Sequence, residues 1–150
     1  MSLYEFLLFV HVLSAAVWVG GAVMLRVQAA RAESAADMGT AAAMAKETER
    51  LGSTVLMPAS ITLLVSGLWM AFDVWDGLEP LWIKLGLAIY VVSAVMGAAF
   101  LGPQYKKVGE LRAAGGGPEL DERIRRISLV SWIDMALLVA AIFVMTVKPG

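Results

Sequence analysis

The chain has 150 residues, of which 59% are hydrophobic, 17% are charged and none is cysteine; its formal net charge is −1 and its mean hydropathy +0.75. An apolar share above the roughly 45–50% of ordinary soluble domains excludes a water-soluble globule, and the missing cysteines exclude disulfides, thiol redox chemistry, iron–sulfur clusters and covalent c-type haem attachment. Glu33, Asp37, Glu47, Glu49, Glu110, Glu119, Asp121 and Glu122 are interspersed among the basic residues, which argues against a nucleic-acid-binding face.

Four stretches of about 20 residues read as membrane spans: Leu3 to Leu25, Leu51 to Phe72, Leu81 to Gly102 and Ile127 to Val147. The first has Glu5 where a cleavable signal would carry basic residues, and no small-residue cleavage site follows it, so it is expected to remain as a helix. Ten of the twelve Lys and Arg residues fall between the first and second spans (Arg26, Arg31, Lys46, Arg50) or between the third and fourth (Lys106, Lys107, Arg112, Arg123, Arg125, Arg126). The positive-inside rule makes both segments cytoplasmic, which puts both termini and the acidic turn from Asp73 to Pro80 outside.

The alanine-rich first segment is expected to continue both flanking helices, with a break near Ala36 to Thr40. Pro58 should kink the second span and free a carbonyl near Thr54, and Pro103 should end or kink the third. Gly115-Gly116-Gly117-Pro118 is a helix breaker before Glu119 to Arg126. Short connections predict one domain over 1–150, an all-α, up-and-down four-helix integral membrane bundle with both termini outside.

His11, the only histidine, is the residue on which chemistry would centre, because an ionisable side chain inside a span is costly and it is the one strong ligand here for a soft metal or haem iron. Ser14, Ala15, Trp18 and Ala22 share its face at 100° per residue. Gly86, Tyr90, Ser93 and Gly97 form a similar face on the third span. Counting roughly 1.5 Å per residue from the outer edge puts His11 at ~12 Å and Tyr90 at ~13 Å depth. Two such faces at one level suit a flat macrocycle edge-on between helices, and equally suit plain close packing of small residues.

Asp134 lies ~10 Å from the cytoplasmic edge of the fourth span, level with Trp18 and Met57. Without a counter-charge it is expected to be neutral, hydrogen-bonded to the Trp18 indole, to Ser131 or to water. Lys84 is expected to snorkel to the outer interface or to pair with Glu5, and Met57 offers a thioether. Trp69, Trp75 and Trp82 read as an interfacial aromatic belt.

The stretch Phe9-Val10-His11-Val12-Leu13-Ser14-Ala15-Ala16-Val17-Trp18-Val19-Gly20-Gly21 resembles the first helix of the superfamily that groups the copper-resistance D-type membrane domain with small four-helix bacterial proteins, and is similar to the opening helix of the membrane-bound protoporphyrinogen oxidase. Glu47 to Leu51 with Pro58-Ala59, Ser66-Gly67-Leu68-Trp69 and Leu81-Trp82-Ile83-Lys84-Leu85 extend the resemblance over much of the chain. The oxidase's further histidines have no counterpart, since those regions read Met24-Leu25-Arg26-Val27 and Met96-Gly97-Ala98-Ala99.

This resemblance implies a haem b site in a bacterial inner membrane protein, with His11 as axial ligand and a redox or electron-transfer role on a porphyrin or lipid-soluble substrate. Met57, a water or diatomic ligand, or His11 of a second protomer in a homodimer would stand opposite. Trp18, Arg26 and Lys84 complete the expected cofactor-contacting set, and Asp134 and Tyr90 are the candidate proton carriers. A copper or small-solute transport module and a cofactor-free structural subunit are the competing readings. The redox partner is unspecified, the lipid bilayer is the expected surround, and no nucleic acid is expected.

Overall fold

The computed structural model describes residues 1–34 and 37–149. Among them are six α-helices and no strand: α1 (Leu3–Glu33), α2 (Met38–Leu51), α3 (Met57–Val74), α4 (Leu81–Val95), α5 (Gly102–Ala113) and α6 (Pro118–Val147). A π turn, Gly52–Leu56, joins α2 to α3, and a second, Met96–Leu101, joins α4 to α5. The result is four continuous helices, Leu3–Ala32, Gly39–Val74, Leu81–Ala113 and Pro118–Val147, each long and apolar enough to cross a membrane.

The helices start and stop where local chemistry demands. Ser2 caps α1 by accepting from the Glu5 backbone N–H, and the Glu5 carboxylate accepts from the Ser2 N–H at 2.7 Å. Asp37 caps α2, accepting from the Thr40 backbone N–H at 2.8 Å and the Thr40 hydroxyl at 2.7 Å. These two bonds, the backbone one foremost, hold the exposed Asp37 carboxyl below the usual aspartate range. Of the break expected at residues 36–40, Ala36 lies outside the described residues, and α2 begins at Met38. Gly115, Gly116 and Gly117 adopt φ of 97°, 85° and 130°, a left-handed run that ends α5, and Pro118 then opens α6.

Neither internal proline ends its helix. Proline has no N–H and its ring crowds the carbonyl four residues back, which here is Thr54 for Pro58 and Ala99 for Pro103. Both carbonyls lie in π turns, and in each case the residue just before the proline donates five residues back: Met57 N–H to the Gly52 carbonyl, Gly102 N–H to that of Gly97. The wider turn absorbs the proline and the helix runs on.

Backbone packing is closest within hairpins, α1 along α3 and α4 along α6, and between α2 and α5 at the end that carries the basic residues. α3 and α4, consecutive in sequence, pack little on each other. The cluster of buried side chains formed by Leu101, Val108, Leu120 and Ile127 also sits at the basic end, where Gly109 brings α5 against Ala45 of α2. In the apolar half, residues turned outward are large and hydrophobic, such as Phe9, Val12, Ile61, Val91 and Phe143, as expected of surfaces solvated by lipid. At the opposite end Lys148 stands over the rings of Trp75 (4.7 Å) and Trp82 (5.0 Å), tying the C-terminus of α6 to the turn between α3 and α4.

Candidate functional site

α1 turns Leu7, His11, Ser14 and Trp18 inward while Phe9, Val12 and Leu13 face out, as the 100° period requires. The His11 imidazole lies against α3. Its Nδ1 is 3.0 Å from the Leu63 carbonyl and 3.3 Å from Ser66 Oγ. A carbonyl only accepts, so Nδ1 carries the proton, and in the neutral ring Nε2 keeps its lone pair. Gly67 makes this approach feasible, since a methyl there would stand 2.8 Å from Cε1 and 3.2 Å from Nδ1. Ser66 in turn donates to the Thr62 carbonyl at 2.7 Å. Among the described residues no group hydrogen-bonds to Nε2.

A second polar level lies deeper. Trp18 and Tyr90 meet with ring centroids 5.2 Å apart at 55°, and the Tyr90 hydroxyl is 2.9 Å from Ser60 Oγ and donates to the Ser60 carbonyl at 3.1 Å. This level is seven residues from His11 on α1 and seven from Gly67 on α3, about 10 Å along either axis. The equal depth expected for His11 and Tyr90 is therefore corrected. A common outer edge was assumed for both helices, but α1 begins fifteen residues before Trp18 and α4 only nine before Tyr90. Protein also fills the small-residue face of α4: Met145 occupies the notch at Gly86, and Asp134 approaches Ser93.

Asp134 accepts a hydrogen bond from the buried Ser93 hydroxyl. It pairs with neither Trp18, whose ring rests on Tyr90, nor Ser131, whose Oγ lies 3.4 Å from the Tyr105 hydroxyl. Ser93 and Tyr90 are one turn apart on α4, so a single helix face presents both hydroxyls, one to α3 and one to α6.

The remaining expected cofactor contacts lie elsewhere. Met57 is 52% exposed and six residues from Leu63, about 9 Å along α3, so it does not face His11 across the bundle. Arg26 is fifteen residues, about 22 Å, from His11 along α1, too far for one macrocycle to reach both. Its guanidinium instead donates to Ser128 Oγ at 2.7 Å and lies over the Trp132 ring at 5.8 Å. Lys84 pairs with Glu79 at 3.8 Å in an exposed contact, and the Glu5 carboxylate instead accepts from the Ser2 N–H in the α1 cap.

Sequence reading missed the Leu63 carbonyl, Ser60 and Ser128 as partners. The signal available for α3 was its inward spacing Ser60, Leu63, Gly67. Among the described residues no three His, Cys, Asp or Glu side chains gather as metal ligands do.

The family described as "Predicted integral membrane protein (DUF2269)" has a model that matches residues 5–149. The chain belongs to that family. Neither a curated protein nor a solved structure matches it. For this DUF2269 member the match covers nearly all of the four long apolar helices, His11 and the polar level beneath it, so these features belong to the part of the chain that the family model describes.

Proposed function

We propose that the chain is a multi-pass protein of a bacterial cytoplasmic membrane that binds haem b through Nε2 of His11 and serves electron transfer or redox chemistry. The observation that carries this reading is the Nδ1–H bond to the Leu63 carbonyl over the Gly67 notch. Ligating histidines characteristically donate their other ring N–H to a carbonyl or carboxylate, which fixes the ring and raises the basicity of the ligating nitrogen. The resemblance of the first helix to the copper-resistance D-type superfamily points the same way. His11 is the residue of this chain that would hold the haem iron, and a small ligand or His11 of a second protomer would complete the iron's coordination.

Haem bound in this way supplies a one-electron redox centre. The chain's own residues hold the ring of His11, exclude water with the surrounding apolar side chains, and keep protons on Tyr90 and Ser93 within reach of Ser60 and Asp134 respectively.

The cofactor-free structural reading has one observation in its favour: the Tyr90 and Ser93 hydroxyls both have protein partners on neighbouring helices, as interhelical glue does. A spectrum of purified protein separates the two. The haem reading expects a Soret band with reducible b-type α and β bands. His11→Ala should abolish or strongly shift them, and Gly67→Ala should shift them by displacing the ring. Protein prepared with ample haem that shows no band overturns the proposal, and full occupancy with an unchanged spectrum in His11→Ala moves the ligand elsewhere.

A further inference from the structure

On α6 an open groove of about 460 Å³ runs along Asp121, Arg125, Ser128, Leu129 and Trp132. It lies about 22 Å along α1 from His11 and is independent of the haem reading. The opposite face of α6, with Ile127 and Ser131, is buried, whereas Leu129 and Trp132 are 64% and 60% exposed. The groove therefore opens sideways to the surroundings of the bundle. Its composition changes along its length: charged at the Asp121 end, apolar and aromatic at the Trp132 end. Arg26 borders it from α1, held by Ser128 and stacked over Trp132, both of which line the groove.

The charges along α6 single out this groove. Arg123 pairs with Glu119 at 2.8 Å and Arg126 pairs with Glu122, both at i,i+4 spacing. Arg125 and Asp121 have the same spacing, yet no ion pair joins either of them to any described residue. The groove lies along the face that carries both. An exposed carboxylate and an exposed arginine about one turn, ~6 Å, apart, with a second guanidinium beside the arginine and an indole beyond it, match a ligand with a cation, an anion and a hydrocarbon root in that order.

We propose that this groove binds one phospholipid with a primary-ammonium headgroup, that is, a phosphatidylethanolamine. The phosphate lies between Arg26 and Arg125, the ammonium at Asp121, and the glycerol and first acyl carbons along Leu129 and Trp132. Guanidinium is the side chain suited to phosphate oxygens, and tryptophan to the boundary between headgroups and acyl chains. The carboxylate selects the zwitterion over a purely anionic lipid, which would leave Asp121 facing another negative charge. The apolar half selects a lipid over a free phosphate ester.

The test uses the full chain in detergent, with retained lipid counted by native mass spectrometry after adding dioleoyl phosphatidylethanolamine, dioleoyl phosphatidylglycerol or dioleoyl phosphatidylcholine. One phosphatidylethanolamine should be retained, with the other two bound roughly tenfold more weakly, as the loss of one charge-assisted contact implies. Arg125→Gln should lower retention of phosphatidylethanolamine by about tenfold. Asp121→Asn should erase the preference over phosphatidylglycerol while leaving phosphate binding in place. Both positions are exposed, so neither change threatens the fold, and circular dichroism checks this. Equal retention of the three lipids, stronger retention of phosphatidylglycerol by the wild type, or variants without effect overturn the proposal. So does effective competition by acyl-free glycerophosphoethanolamine, which would make the ligand a soluble ester.

Discussion

Asp134 and Ser93 form a pair whose two roles one substitution can separate. An asparagine at 134 still offers an oxygen to the Ser93 hydroxyl, so Asp134→Asn should retain folding and unfold at nearly the wild-type temperature. Asp134→Leu removes the acceptor and leaves a buried hydroxyl without its interhelical partner, at a cost of about 1 kcal/mol within a membrane bundle. Thermal unfolding in detergent compares the two, and an asparagine variant as weak as the leucine one contradicts the pairing. If Asp134 moves protons during redox turnover, the asparagine variant keeps its spectrum and loses turnover, since an amide exchanges no proton at useful pH.

Asp37 gives a prediction in pH. Its carboxyl is held low in the folded chain by the Thr40 backbone N–H and then the Thr40 hydroxyl, so the cap is an acceptor of full strength above the ordinary aspartate value, roughly pH 4. The stabilisation is lost as pH falls through the lowered folded value. Hydrogen exchange at the Thr40 amide should therefore be slowed by the cap at neutral pH and lose that protection under acid, and Asp37→Ala should remove the dependence. At this scale the sequence made His11's helix face legible, because the 100° period alone turns Leu7, Ser14 and Trp18 the same way. The partners were not legible. Which carbonyl or hydroxyl meets a side chain depends on how far neighbouring helices are slid along each other, and hydropathy carries no such information.

The spans and the glycine-rich break were readable from composition, and so was the continuation of α1 and α2 past the apolar stretch. The behaviour of Pro58 and Pro103 was not, since a proline signals a lost hydrogen bond and says nothing of how the chain restores it. A π turn carries one residue more than the α-helical path. Deleting Ser53 should restore α geometry with α2 and α3 kept nearly in phase, and set the Pro58 ring against the carbonyl four residues before it. The deletion should lower the unfolding temperature well beyond the effect of Ser53→Ala. The contact between α1 and α2, where the Thr48 hydroxyl donates to Gln28 at 3.2 Å, lies on the near side of the turn. A Gln28→Cys/Thr48→Cys pair should therefore cross-link on mild oxidation with or without the deletion. The chain's lack of cysteine makes that product unambiguous.

For the molecule as a whole, orientation follows from the ten-to-two split of basic residues. A reporter active only outside the cytoplasm, fused after Gly150, should work and a cytoplasm-active one should not; the reverse result inverts the bundle. If the split holds, α2, α5 and the first turns of α6 stand on the cytoplasmic side, and the Lys148–Trp75–Trp82 contact stands outside.

The sparse packing of α3 on α4 has a mechanical consequence. Cohesion between the hairpins is concentrated at the α2–α5 end, at the Tyr90–Ser60 clasp partway up, and at the outer turn where Trp75, Trp82 and Lys148 meet. In-plane stretching of a bilayer acts on every level of a bundle alike, so the strain it produces collects where the restoring contacts are fewest. Under lateral tension the level between the clasp and the outer turn should bow apart before either end moves. Spin-label distances measured in nanodiscs of differing lipid thickness would record that bowing, and uniform spreading along the bundle would refute it.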